Sequence, residues 1–278
     1  MRSHWIATGA LVRDTFREAF ARRIFWGFFG CATALLVFLL FIMRIDVVEG
    51  ANATVSLFGQ TRGGSADVNE IVTRAQAVIA MVLYFAGMAL SVFASAGLVA
   101  AVFEPGRIEL LLSKPVSRTH LLLGRYIGNV LVVAANVVYL VLGSWTIFGV
   151  KTGVWGWGFP LSSLCTIFTF SVLLAFIVLI GVLWDSSAVA IMATFAIMIV
   201  TPILQQRHTI ERLLSSEWSR DVLRFFYYVL PKTSEISQII WRMIIHQPIE
   251  SWMPVWSTAI FGVVALGLGL WRFQRRTF

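Results

Sequence analysis

The sequence predicts an all-α membrane protein: six transmembrane helices, an N-terminal helix lying in the interface, and short amphipathic outer helices between spans five and six. Three observations carry that expectation. Of 278 residues, 58% are hydrophobic and only 13% charged, and the mean hydropathy is +0.82, so a water-facing domain would expose far more apolar surface than water tolerates. Six runs reach or approach the roughly 20 apolar residues that cross a bilayer at about 1.5 Å rise per residue. None of the six contains Lys, Arg, Asp or Glu, whereas the stretches between them do. The runs are unbroken rather than alternating every second residue, which disfavours a β-barrel.

Taken in order, the chain reads as a single transmembrane domain over residues 1–278. Residues 1–23 place Ile6, Leu11 or Ala10, Val12, Phe16, Ala19 and Phe20 on one helical face and Arg13, Arg17, Arg22 and Arg23 on the other, the pattern of a helix lying flat in the interface. The spans follow at 24–43, 75–103, 126–150, 161–184, 188–204 and 255–271. The second is longer than about 30 Å of hydrocarbon requires, so it tilts or projects. The fifth is the shortest and carries Pro202 near its end, where a backbone donor is lost. Residues 44–74, with GQTRGGSADVNE, read as a flexible loop. Asp185, in the tight WDSS turn, reads as a helix cap.

The outer segment 205–251 holds two amphipathic stretches. Leu214, Trp218, Val222, Phe225 and Val229 recur every three or four residues opposite Glu217, Arg220, Asp221 and Arg224, a helix period. Pro231 stops that helix. Thr233 or Ser234 then caps a second one, with Glu235 in its first turn and Ile236, Ile239 or Ile240, Met243 and Ile244 along its apolar side. The pair is expected to form an outer gate, half embedded at the leaflet surface. Trp155, Trp157, Trp252 and Trp256 mark the outer headgroup level, Trp184 and Trp271 the inner one.

Orientation follows from the basic residues. With six spans, the N-terminus, the 104–125 loop, the Asp185 turn and the C-terminus share one side and hold 12 Lys/Arg against 5 Asp/Glu. The other side holds 10 against 9, over longer loops. The first side is therefore cytoplasmic, with both termini on it, in a bacterial-type inner membrane. The net charge of +8 belongs to that face and to anionic headgroups, not to nucleic acid. The 20-residue apolar run after the basic helix is too long for a signal peptide, so it is expected to be retained.

Several chemistries lack their residues. Lys114, Lys151 and Lys232 follow Ser, Val and Pro, not the glycine of a phosphate-cradling P-loop, so no ATP site of that kind is expected. His4, His120, His208 and His246 are scattered, and no CxxC or HExxH occurs, so no metal site is expected. Cys31 and Cys165 lie inside apolar runs, as small hydrophobes rather than a disulfide. No ionisable residue within a span offers a proton relay. The chain reads as no enzyme and as binding no cofactor itself.

The most informative stretch is a charged island between spans two and three, FEPGRIELLLSKPVSRTHLLLGRY at 103–126. It carries Glu104, Arg107, Glu109, Lys114, Arg118 and Arg125 at a membrane surface, where another protein can grip it. Arg118 and Arg125 also have a plainer reading as positive-inside anchors. In span two, Gly87, Ser91 and Ser95 repeat every four residues, a small-residue stripe for close helix packing, which leaves open a share in a dimer interface or a substrate path.

The basic helix before span one, the island of form E-x-G-R-I-E-L-L-L-S-K-P-V-S-R followed by L-L-L-G-R-Y, and six spans in 278 residues resemble the permease subunit of a type-2 ABC exporter. The YYVLPKTSEI segment resembles that family's outer Pro-containing element, nearest the branch that includes copper-enzyme-maturation permeases. The resemblance implies a dimer, of this chain or with a related permease, on two copies of a separate ATP-binding subunit that holds ATP and Mg. It places Glu104, Arg107, Glu109, Lys114, Pro115, Ser117 and Arg118 on the coupling helix, with Arg13, Arg17, Arg22 and Arg23 on the connecting helix beside it. A short helix with Leu110–Leu112 on one side can seat in a cleft and pass on rigid-body motion.

The function expected is thus an exporter permease driven by ATP hydrolysis in a partner. The alternative is a non-transporting scaffold or mechanical transmitter to an outer-face, periplasmic accessory protein. The uncharged spans favour an amphipathic or lipid-like cargo over a bare ion. The outer loops have no His, Met or Cys cluster to support a metal or sulfur cargo.

Overall fold

The computed structural model describes residues 23–42, 45–46, 54–57, 60–61, 68–100, 118–213 and 216–275. Helix α1 (Arg23–Ile42) is followed by three short antiparallel strands, β1 (Ile45–Asp46), β2 (Thr54–Leu57) and β3 (Gln60–Thr61), paired in that order. The segment read as a structureless loop therefore carries a small meander, and helix α2 (Val68–Val82) already starts within it. Asn69 and Glu70 open that helix well before the apolar run, because helical hydrogen bonding does not stop where hydrophobicity does. A π-turn at Leu83–Gly87 joins α2 to α3 (Met88–Ala100). Its one extra residue rotates the downstream face by about 100°.

Next come α4 (Arg118–Thr152), α5 (Gly158–Trp184), α6 (Ser187–Gln205) and the short α7 (Arg207–Leu213). Then follow α8 (Glu217–Val229), α9 (Thr233–Ile244) and α10 (Met253–Gln274). Among the described residues, five helices are long and apolar enough to cross a membrane, at 69–95, 119–152, 158–184, 187–205 and 253–274. The apolar stretch of α1, Phe29–Phe41, is shorter. Helix α4 has 35 residues, about 52 Å at 1.5 Å each, and so outreaches the hydrocarbon. It absorbs Arg118–Arg125, which the sequence put in the preceding loop.

The core sits on α5. Two thirds of its span (67%) is buried inside the chain, against 28% for α6 and for α10. Phe159, Phe170, Leu173, Leu174, Ile177 and Val178 are fully enclosed between α3, α4, α6, α9 and α10. Two glycines let α10 lie against it: a Cβ on Gly262 would come within 2.9 Å of Val172 Cγ2, and one on Gly269 within 3.4 Å of the Leu179 backbone. In a bilayer, where tails are as apolar as Leu, such close packing is what holds helices together. At the α5–α6 turn Asp185 is the left-handed C-cap of α5 (φ 53°), and Ser186 is the N-cap of α6, its Oγ accepting from Val189 N. The cap of the incoming helix is therefore the serine after the aspartate.

Two contacts fix which ends lie together. Gln274 Nε2 at the end of α10 donates to Thr119 Oγ1 at the start of α4, 2.7 Å. Lys151 Nζ at the far end of α4 donates to the Leu40 carbonyl of α1.

Candidate functional site

Glu104, Arg107, Glu109, Lys114, Pro115 and Ser117 lie outside the described residues, as do Arg13, Arg17 and Arg22. Arg118 and Arg23 open α4 and α1 by their backbones. The structure does describe what flanks the island: the end of α3 before it, and after it the first turns of α4, where Leu121, Leu122 and Arg125 are all buried. At 3% exposure, Arg125 is not a headgroup anchor of the kind the positive-inside reading supplied. Its guanidinium is enclosed by the bundle.

Ser91 and Ser95 are buried within the chain, at 2% and 1% exposure, on α3, a helix that packs against α5 and α6. Ser91 Oγ returns its proton to the Gly87 carbonyl, 2.7 Å away, a local bond that lets a hydroxyl sit in apolar surroundings. Gly87 itself is half-buried at the end of the π-turn.

The densest polar arrangement is at the start of α9. Tyr84, on the π-turn, donates its hydroxyl to the Thr233 carbonyl at 2.6 Å and lies 3.3 Å from Thr169 Oγ1 of α5. Thr233 Oγ1 pairs with Thr201 Oγ1 of α6 at 2.7 Å, and Ser234 Oγ donates to Gln205 Oε1. Ser237 Oγ donates back to the Ser234 carbonyl, 2.7 Å. The π-turn and α6 are thus tied directly to the first turn of α9, and α5 joins through Tyr84. The expected cap is replaced: Lys232 is the N-cap, without a side-chain cap bond, because the hydroxyls of Thr233 and Ser234 are committed to neighbouring helices.

Lys232 is buried beside this knot. Its backbone N–H donates to Thr258 Oγ1 (2.9 Å), and its ammonium donates to the Tyr227 carbonyl (3.3 Å) and Ser257 Oγ (3.1 Å). The ammonium also sits 4.2 Å from the Tyr227 ring centroid, while the Arg207 guanidinium lies over the same ring at 3.6 Å. Cation–π contacts of this kind contribute up to about 2 kcal/mol when desolvated. Burial, with Arg207 adding to it and Glu235 opposing it, pushes the Lys232 pKa down. Burial and the Glu235 carboxylate within hydrogen-bonding reach push the Tyr227 hydroxyl up, so it stays protonated.

Other buried polar groups escaped the sequence reading: Gln76 on α2, and Asn129 and Asn136 on α4, each at 5% exposure or less. Arg125, Asn129 and Asn136 form a polar line on α4, whose sequence reads as uniformly apolar around them. Their only sequence signal is the spacing Arg125, Asn129, Asn136, which returns to one helical face.

A charged segment flanked by two span-length helices, a bundle built on one central helix and a short helix tied in at one end of it now stand beside a match over nearly the whole chain. The profile of the ABC-2 family transporter proteins matches residues 10–278. The chain belongs to that family. It is a multi-pass membrane protein and a permease component of an ABC transporter. ABC-2 permeases are transport subunits rather than enzymes, and they generally work as dimers with a separate ATP-binding subunit. No curated protein matches the chain.

Proposed function

We propose that this ABC-2 protein is a six-span exporter permease, one domain over residues 1–278, with α1 as its first span. A separate ATP-binding subunit carrying ATP and Mg drives it through the 104–118 segment. Glu104, Arg107, Glu109, Lys114, Pro115, Ser117 and Arg118 form the coupling contact, beside a connecting helix with Arg13, Arg17, Arg22 and Arg23. Two permease copies share the complex in a bacterial-type inner membrane, both termini cytoplasmic. The branch with copper-enzyme-maturation permeases is included on the strength of YYVLPKTSEI.

One observation carries this reading: the Gln274–Thr119 bond sets the C-terminal end of the last span beside the end of the island. It supports a single face on which the most basic segments gather, the side that the positive-inside bias makes cytoplasmic. At the opposite end α9, tied by Tyr84, Thr201 and Gln205, acts as an outer gate. Its release requires breaking the bonds at one turn.

The test is affinity purification of the tagged chain from its native membranes in mild detergent, asking whether an ATP-binding subunit comes with it. The expected result is a stable complex that hydrolyses ATP, while the chain alone binds no nucleotide. Nucleotide binding by the isolated chain, or failure to hold any ATP-binding subunit, would count against it.

A further inference from the structure

Between the end of α6 and the start of α10 the outer face holds a pocket of about 330 Å³, at the lower end of the volumes that enclose small ligands. Gln205, Arg207, Glu235, Gln238, Arg242 and Glu250 supply its polar wall. Two guanidiniums and two carboxylates share one small opening, so an anion alone meets the carboxylates and a cation alone meets the guanidiniums. A ligand that carries both charges satisfies both.

The donors are arranged for this. The Arg207 guanidinium uses its face on Tyr227, and a guanidinium's five N–H groups lie in its plane, directed past the ring. Arg242 Nη1 holds Glu250 Oε1 at 2.7 Å and also reaches the Pro248 carbonyl. That places one cation and one anion side by side at the rim, with the Glu250 side chain 78% exposed and Arg242 30%. The Gln205 and Gln238 amides add neutral donors of the kind that complete a phosphate's coordination. Exposed Tyr228, Trp252 and Trp256 lie within two residues of the lining residues Tyr227, Ser251 and Pro254 in the chain, and such rings settle at the headgroup level of a bilayer.

We propose that this pocket binds a zwitterionic headgroup made of a phosphate and a primary ammonium, the phosphate on Arg207, Arg242 and the two glutamines, the ammonium on Glu235 and Glu250. The assignment rests on the proposed topology, which puts the mouth at the outer leaflet, and it names the class of molecule the permease handles or is regulated by there. A primary ammonium donates three N–H bonds to carboxylates, whereas a quaternary ammonium donates none. The site therefore prefers phosphatidylethanolamine over phosphatidylcholine, and over phosphatidylglycerol, whose net charge has no partner for Glu235 and Glu250.

The experiment is native mass spectrometry of the full chain in delipidated micelles, titrated with the three lipids or with soluble phosphoethanolamine. Phosphatidylethanolamine should be retained about tenfold better than either other lipid, and Arg242→Gln should remove the preference. The paired swap Arg242→Glu with Glu250→Arg keeps an ion pair at the rim but inverts its poles. It should also lose the preference, which a merely structural pair would not. Competition by soluble phosphoethanolamine supports the same chemistry with a free solute as its source. Equal retention of phosphatidylglycerol, or an unchanged preference in the swapped protein, overturns the proposal. If the wild type co-purifies with an ATP-binding subunit but shows no preference, only this inference fails; if the preference holds but no ATP-binding subunit co-purifies with the chain, the permease reading fails instead.

Discussion

Helices α8 and α9 are neighbours of almost equal length, joined through Leu230, Pro231 and Lys232, and both are strongly amphipathic, yet they end in different solvents. In α8 only Tyr227 is buried, and Trp218, Phe225, Tyr228 and Val229 face outward. In α9 seven residues are buried, three of them hydroxyl-bearing. The difference lies in the polar faces. Glu217, Arg220, Asp221 and Arg224 cannot leave water or headgroups without a large desolvation cost, whereas Thr233, Ser234 and Ser237 satisfy themselves on nearby carbonyls and hydroxyls. Amphipathicity places a helix at an interface, and the size of its polar groups decides how deep it sinks.

The same substitution on each helix separates the two most sharply. Ile240→Asp puts a carboxylate where the side chain is wholly enclosed and should cost about 4 kcal/mol or more, seen as loss of monodisperse protein on size-exclusion chromatography. Phe225→Asp, on an exposed position of α8, should yield folded protein with reduced affinity for bilayers. Equal behaviour of the two variants would break the comparison. The ties at the start of α9 come next. Tyr84→Phe leaves the Thr233 carbonyl without its donor, and Thr201→Val leaves Thr233 Oγ1 without its partner. Each should lower stability by about 1–2 kcal/mol, with the pair less than additive because both anchor one turn, read from thermal unfolding in detergent.

The linker lysine sharpens the comparison through pH. Its folded pKa lies below the ordinary 10.5, so between the two values the unfolded chain binds more protons. The cost of the buried charge is fully present below the folded value and fades as pH rises towards 10.5. Stability should therefore rise with pH in that window and lose the rise in Lys232→Met. Below pH 10 Tyr227, held above its ordinary 10.0, keeps its proton in both proteins, so the difference between their midpoints isolates Lys232. Parallel profiles would contradict this. The smallest effect is expected on α8: Arg224→Ala breaks exposed pairs with Glu211 and Asp221, and the unfolding midpoint should not move measurably.

Five of the six apolar runs, which the structure forms as span-length helices, were legible because a lipid-facing segment leaves a long, uniform signal, and the two amphipathic helices before the last of them were legible from their period. Helix ends were less so: α4 extends to Arg118 because a helix runs past the hydrocarbon wherever no proline stops it. The hydroxyl knot was hardest to see. Thr169, Thr201, Thr233 and Thr258 are dispersed over the second half of the chain, and each alone reads as an ordinary helix residue. Likewise Asn129 and Asn136 hardly dent the apolar average of α4, although their shared face was visible in their spacing. The resemblance at 104–126 pointed to the ABC-2 family, which the match over 10–278 establishes.

The coupling proposal is tested most directly by reversing both acids of the island, Glu104→Lys with Glu109→Lys, in the complex with the ATP-binding subunit. Like charges pressed together where the contact is desolvated cost several kcal/mol, on the order of a thousandfold in affinity. Co-purification of the ATPase should therefore fall away while the permease still inserts and migrates as a folded protein, since the changes lie outside the spans. A double-reversal protein that retains its ATPase and full hydrolytic activity would contradict the assignment and return these residues to a surface role.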